Sequence, residues 1–139
     1  MSSPGQPAVV WVEREGRLEP LRVLSGDAGT LTVQDPAGRE ERLARRRVVF
    51  SSAASRSQVA GSRELAAHRV AVDAALSSAA PAEVWELMLE EGLQEVPAAE
   101  LAELLFGDAG PVSLDALQVF LAPSPPWFRS GREGRVRIQ

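Results

Sequence analysis

From Ala8 onward the apolar residues fall into short runs separated by turn-forming residues. Five runs, AVVWVER, LEPLRVLS, GTLTVQD, REERL and RVVF, read as strands, because they are short, rich in β-branched residues and bounded by turn signals. Between them lie Glu15-Gly16, then Ser25 to Ala28, then Asp35-Pro36-Ala37-Gly38. In the last, Pro36 fixes φ for the first turn position and Gly38 takes the positive φ that returns the chain to the ladder. Five such strands over residues 8–52 predict a small SH3-like β-barrel. Its inward residues are expected to be Val10, Val12, Leu21, Val23, Leu31, Val33, Leu43 and Val48, with Trp11 or Phe50 closing one end. Trp11 sits in an unbroken apolar run, so alternation does not assign its side. Burial is favoured, and an exposed platform on which a base could stack is the alternative.

The period changes after residue 57. Residues 51–57, SSAASRS, have the small polar composition of a connection, and a linker is placed at residues 53–57. Residues 1–7 carry no apolar anchor and are read as a mobile tail. Residues 58–79 read as an alanine-rich helix with Leu65, Val72, Leu76 and His68 on one face, and Gly61 moves its better start toward Ser62. Three shorter amphipathic helices follow. One runs from Pro81 to the stop at Gly92. A second lies between Pro97 and Gly107, with Ala98, Leu101, Ala102 and Leu105 as its stripe. A third is capped by Ser113, with Asp115 near its positive end, Leu114, Leu117, Phe120 and Leu121 on its apolar face, and Pro123 as its stop.

After the third helix the pattern returns to alternation. Val136 and Ile138 alternate with Arg135, Arg137 and Gln139, so Trp127 to Ile138 reads as a hairpin whose five-residue turn is Ser130 to Gly134, and Leu93 to Val96 can add a strand to it. Helix, strand, helix, helix, hairpin is the order of a winged helix-turn-helix domain. The expected fold class is therefore α+β: a small SH3-like barrel, then residues 58–139 as a long helix plus a winged-helix domain.

Charge alters this picture more than composition does. All fifteen basic residues are arginine and the net charge is −4. Residues 1–69 hold eleven arginines against eight acids; residues 70–126 hold no arginine and ten acids; residues 127–139 hold four arginines against one acid. Both ends attract a phosphate chain and the middle repels it. Arg45, Arg46 and Arg47 are the densest basic run, with Arg39 and Arg42 nearby, and Arg129, Arg132, Arg135 and Arg137 crowd one short hairpin behind Trp127 and Phe128. Burial of those two aromatic residues beneath the wing is favoured, with the arginines of its outward face placed to touch a nucleic-acid backbone.

No reaction centre is legible. There is no cysteine and one histidine, no phosphate-binding glycine loop, no nucleophile elbow and no metal-spaced cluster. Glu83, Glu86 and Glu90 recur at helical spacing, as on a solvated face, and His68 is read as a packing or helix-surface residue. In the third helix only Gln118 could read a base edge, which disfavours the usual winged-helix docking on DNA. No apolar run approaches a membrane span and the start MSSPGQP shows no charged and then apolar leader, so a soluble cytoplasmic protein is expected.

VWELMLEEG, then VPAAELAELLFG, then PVSLDALQVFLAPSPPWFRSGREG resemble the region ahead of the catalytic domain in RNB-family exoribonucleases, above all the ribonuclease II-like enzymes of cyanobacteria, plastids and Deinococcus-type bacteria. Trp85-Glu86-Leu87 with Glu90-Glu91, Ala99-Glu100-Leu101-Ala102 with Leu104-Leu105-Phe106, and the Trp127-Phe128 step carry the likeness most specifically. The resemblance implies a non-catalytic N-terminal region that guides single-stranded RNA toward a downstream RNB domain. It implies no catalytic residue and no cofactor in this chain, since the magnesium site belongs to that domain. It also implies that Trp127, Phe128 and Arg129 help shape the side from which RNA approaches. Alternative readings are a protein-interaction module that docks a partner through acidic helices and a winged-helix DNA-binding regulator.

Overall fold

The computed structural model describes residues 7–123 and 125–139, which form two compact units, residues 1–71 and 72–139. The class is α+β, with two antiparallel sheets and four helices. The tail expected at residues 1–7 lies, apart from Pro7, outside the described residues.

The first unit is built on β1 (Val9–Arg14), β2 (Arg17–Gly26), β3 (Thr30–Gln34), β4 (Glu40–Ala44) and β5 (Val48–Ser51), hydrogen-bonded in the order β4-β3-β2-β1-β5. This order leaves β4 and β5 at opposite ends of the sheet, so the strands do not close into a complete barrel by backbone pairing. Each turn follows from its residues. Glu15 and Gly16 have φ of 51° and 79° and join paired Arg14 and Arg17, which is the two-residue turn whose twist suits a hairpin. Asp35 accepts the backbone N–H groups of Ala37 and Arg39, both at 2.9 Å, fixing the bend that Pro36 and Gly38 begin.

Val10, Val12, Leu21, Val23, Leu31, Val33 and Leu43 form one core, with Val48 packed at its margin, as the alternation predicts. The other face of β1 is buried too. Val9 packs with Ala54, Val59 and Leu65, the last on α1 (Ser62–Ser78). Trp11 points to that same side and is 1% exposed. Its ring stacks on Phe50 with centroids 5.6 Å apart and lies 6.2 Å from the ring of His68. A strand covered on both faces needs no polar alternation, which is why VVWV reads as a continuous apolar run.

Residues 53–57, expected as a linker, are therefore no bare tether. Ala54 is buried, Arg56 donates to the Val23 carbonyl at 3.3 Å, and Arg22 donates to the Ala60 carbonyl at 2.9 Å. Gln58 and Val59, expected in the helix, sit in a turn, and α1 begins at Ser62. Gly61 supplies the break, through its low helix propensity.

The second unit follows the order α2 (Pro81–Glu90), β6 (Glu95–Pro97), α3 (Ala98–Phe106), α4 (Pro111–Leu121), β7 (Phe128–Ser130), β8 (Arg135–Ile138), with sheet order β6-β8-β7. Met88, Val96, Leu101, Ala102, Leu105, Leu117, Leu121, Phe128 and Val136 make its core. Gly107 stops α3 at φ 94°, its N–H bonded to the Glu103 carbonyl at 2.9 Å. After four connecting residues α4 departs at 99° to α3. No single helix is long and apolar enough to cross a membrane.

Ser113 does not cap α4. The helix starts two residues earlier, at Pro111, with Gly110 in the capping position; proline at the first position suits the missing N–H. The polar anchor is Asp108, whose Oδ1 accepts the Gly110 N–H and the Ser113 hydroxyl, each at 2.8 Å. These hydrogen bonds, the Gly110 N–H foremost, hold its carboxyl below the usual 3.8. A depressed carboxylate stabilises the fold fully above its ordinary range and stops doing so as pH falls through its folded-state value. The melting temperature should accordingly fall on acidification below pH 3.8, and Asp108→Asn should flatten that acid limb in a series of thermal melts. An acid limb unchanged by the substitution would show that the anchor contributes nothing.

Candidate nucleic-acid interface

The C-terminal hairpin separates its residues by face. In the register Phe128↔Ile138, Arg129↔Arg137 and Ser130↔Val136, with Val96↔Val136 and Glu95↔Arg137 across β6, alternation puts Phe128, Val136, Ile138 and Val96 inward. Arg129, Arg135, Arg137 and Glu95 are left outward, and all four are exposed. The loop is Gly131 to Gly134, one residue shorter than expected because Ser130 remains in β7. Within it Glu133 and Gly134 have φ of 54° and 72°, and Arg135 N–H bonds the Arg132 carbonyl at 3.0 Å. The sequence Arg-Glu-Gly-Arg thus makes the same kind of turn here as at residues 14–17.

The nine residues expected at the interface divide sharply. Phe128 is fully buried, its ring edge-on to Phe120 at 6.2 Å, and so it presents nothing to a ligand. Trp127 is half-buried against the same core. Arg135 pairs with Glu95, Nε to Oε1 at 2.7 Å, a diagonal contact on the outer face. Arg129, Arg132 and Arg137 are exposed and make no side-chain hydrogen bond or ion pair among the described residues. Arg132 and Arg137 share a shallow concavity with Ser130, Gly131, Gln94 and Glu95. Glycine fits closely at 131, because a Cβ would lie 3.0 Å from the Arg135 carbonyl and 3.4 Å from the Arg137 stem.

Arg45, Arg46 and Arg47 form a single 3-10 turn between β4 and β5 and do not converge. Arg45 donates to the Asp27 backbone carbonyl. Asp27 itself accepts the N–H groups of Gly29 and Thr30, which lower its pKa most, with smaller contributions from Arg42 and Arg45. Arg47 opens instead on a concavity shared with Arg14 and the carboxylates of Glu13, Glu15, Glu19 and Glu41. Arg46 is exposed. Arg39 pairs with Asp35 at 3.3 Å, Arg69 with Glu19 at 3.0 Å, and Arg14 with Glu41. In this unit the excess cation is dispersed among acids rather than gathered.

No charged residue of α4 faces solvent: its one carboxylate, Asp115, is 1% exposed, and Gln118 is half-buried. Sequence reasoning placed Ser130 and Gly131 in the hairpin turn and Gln94 and Glu95 in the strand added to it, but gave none of them a place in the candidate interface. The signal lay in pairing Glu95-Val96-Pro97 with Arg135-Val136-Arg137, which brings one acid beside two arginines. Among the described residues no group of three or more His, Cys, Asp or Glu is placed to hold a metal ion. No family model, curated protein or solved structure matches this chain.

Proposed function

We propose that this chain is the non-catalytic, RNA-guiding N-terminal region of a ribonuclease II-like 3'-5' exoribonuclease of the cytoplasm. The observation that carries the reading is the outward face of the wing, where three arginines stand exposed and, among the described residues, without partners. Guanidinium groups in such a position recognise phosphate oxygens and carry no sequence code, which suits a protein that passes RNA of any sequence to a cutting domain. The helical middle, with ten acids and no arginine over residues 70–126, repels the same chain and so restricts where it can lie.

The connectivity agrees with the resemblance. Sheet order β6-β8-β7 with α3 and α4 at 99° supports the winged helix-turn-helix reading of the second unit. Order β4-β3-β2-β1-β5 with a 3-10 turn before β5 supports an SH3-like reading of the first unit, whose strands do not close by backbone pairing. Hydrolysis and its magnesium ions are assigned to the RNB domain that the family carries downstream, and no step is assigned to a residue of this chain.

Binding of fluorescent oligo(A) should be weak, tolerant of sequence and steeply weakened by salt, with a slope of about −0.7 in log K against log salt for each phosphate neutralised. Changing Arg129, Arg132 and Arg137 together to glutamine should remove most of that binding at low ionic strength. If oligo(A) shows no salt-sensitive binding, or binds the triple variant as well as the parent, the guiding role is wrong.

One observation favours a second reading, docking of a basic partner. Leu87 and Leu89 of α2, Leu93 after it and Leu104 of α3 are 38–48% exposed, interleaved in sequence with Glu83, Glu86, Glu90, Glu91, Glu100 and Glu103. Retention of a basic protein domain by the immobilised chain, with no RNA retained, would favour it. A DNA-binding regulator has the least support, because α4 offers no exposed cation.

A further inference from the structure

Arg129 and Arg137 are directly opposed in the β7–β8 ladder, and like charges in that position destabilise a hairpin. The only acid in register with them, Glu95, is engaged by Arg135. Glu95 stands opposite Arg137, but its Oε1 is taken by Arg135, and among the described residues no acid stands opposite Arg129 except through that shared carboxylate. Arg132 and Arg137 then line one concavity with Gly131 and Glu95, and Arg129 stands across the ladder from Arg137 at its border. From this we infer that the outer face of the wing is a seat for a single phosphate group, held by Arg129 and Arg137 across the ladder and by Arg132 from the turn. An oxyanion placed there neutralises the cross-strand repulsion, so the empty wing is destabilised and the occupied wing is not. The inference deepens the RNA reading, on which it rests for the identity of the physiological ligand. The phosphate oxyanion itself is common to an RNA backbone and to free phosphate.

The consequence is a trade between stability and binding that an ordinary solvated arginine would not show. In the full chain, inorganic phosphate should raise the melting temperature more than sodium chloride at matched ionic strength. It should also move the Nε–Hε resonances of Arg129, Arg132 and Arg137 in a titration. Arg129→Gln should melt higher than the parent in chloride, lose the increment due to phosphate, and reduce the salt slope of oligo(A) binding by about 0.7. Arg129→Lys keeps the repulsion but loses the planar fork, so it should melt like the parent in chloride while binding phosphate several-fold more weakly.

Equal effects of phosphate and chloride on melting, or an Arg129→Gln variant that keeps the phosphate increment, overturn the seat. If oligo(A) still binds with salt sensitivity in that case, the seat fails while the RNA reading stands. If inorganic phosphate acts as described and oligo(A) does not bind, the seat stands and the RNA reading fails.

Discussion

Replacing Trp11 by alanine should destabilise the sheet unit by about 3–5 kcal/mol, the usual range when a large buried aromatic side chain is removed. The ring is 1% exposed between Phe50 and His68, so its loss leaves a cavity that three separate segments, β5, α1 and β1 itself, would have to collapse to fill. Against a total stability of about 5–15 kcal/mol for a typical domain, that change leaves the unit marginal. Urea denaturation followed by circular dichroism measures it without relying on the deleted fluorophore. Trp11→Phe should lose much less, since it keeps a ring against Phe50. A change below about 1 kcal/mol for the alanine variant, well short of the range for core aromatics, would mean the ring is not a packing element.

Phe128→Ala is expected to have a similar effect on the helical unit, again about 3–5 kcal/mol. Phe128 is fully buried and meets Phe120 of α4 edge-on, so it fastens the start of the C-terminal hairpin to the last helix. Any loss of the proposed RNA binding in Phe128→Ala would then come from loss of the folded hairpin. The control is Phe128→Leu, which keeps most of the volume and should bind oligo(A) as the parent does. If the leucine variant folds normally, with an unchanged melting temperature, yet fails to bind, the ring touches the ligand and its burial here is not the bound state.

These two aromatic residues also mark where the sequence was legible. Alternation along β3 and β8 identified the inward residues correctly, because their buried positions alternate with half-buried or exposed ones. β2 instead buries Pro20, opposite Trp11, on the face away from its inward Leu21 and Val23. Pro81, Pro97, Gly92 and Gly107 placed α2 and α3 to within a residue, because each acts through its own backbone. Trp11 resisted assignment because β1 is covered on both faces, and the cover comes from residues 54–65, which read as linker and helix. Ser113 misled for a related reason. A serine before an apolar run is a good cap by local criteria, yet Pro111 starts the helix first and Asp108 takes the serine hydroxyl.

The arginines were harder still. A run of three such as Arg45 to Arg47 shows how much charge is present, while the 3-10 turn decides that Arg45 and Arg47 face different neighbours. The wing was easier, since strand alternation already sends Arg135 and Arg137 to one side. What the pattern could not supply was that Glu95 would arrive beside them and pair with only one.

The two ends of the five-stranded sheet are guarded differently. β4 carries Glu40, Glu41 and Arg42, whose charges discourage another chain from adding to it. β5 has no charge at all, but its pairing with β1 jumps between Trp11↔Phe50 and Val12↔Val48, leaving Val49 as an extra residue, 47% exposed. Such a bulge twists an edge out of the flat geometry that intermolecular strand addition needs. Solubility of this sheet therefore depends at one border on composition and at the other on backbone shape. Removing the single valine would straighten the second border into an aggregation template without altering any charge.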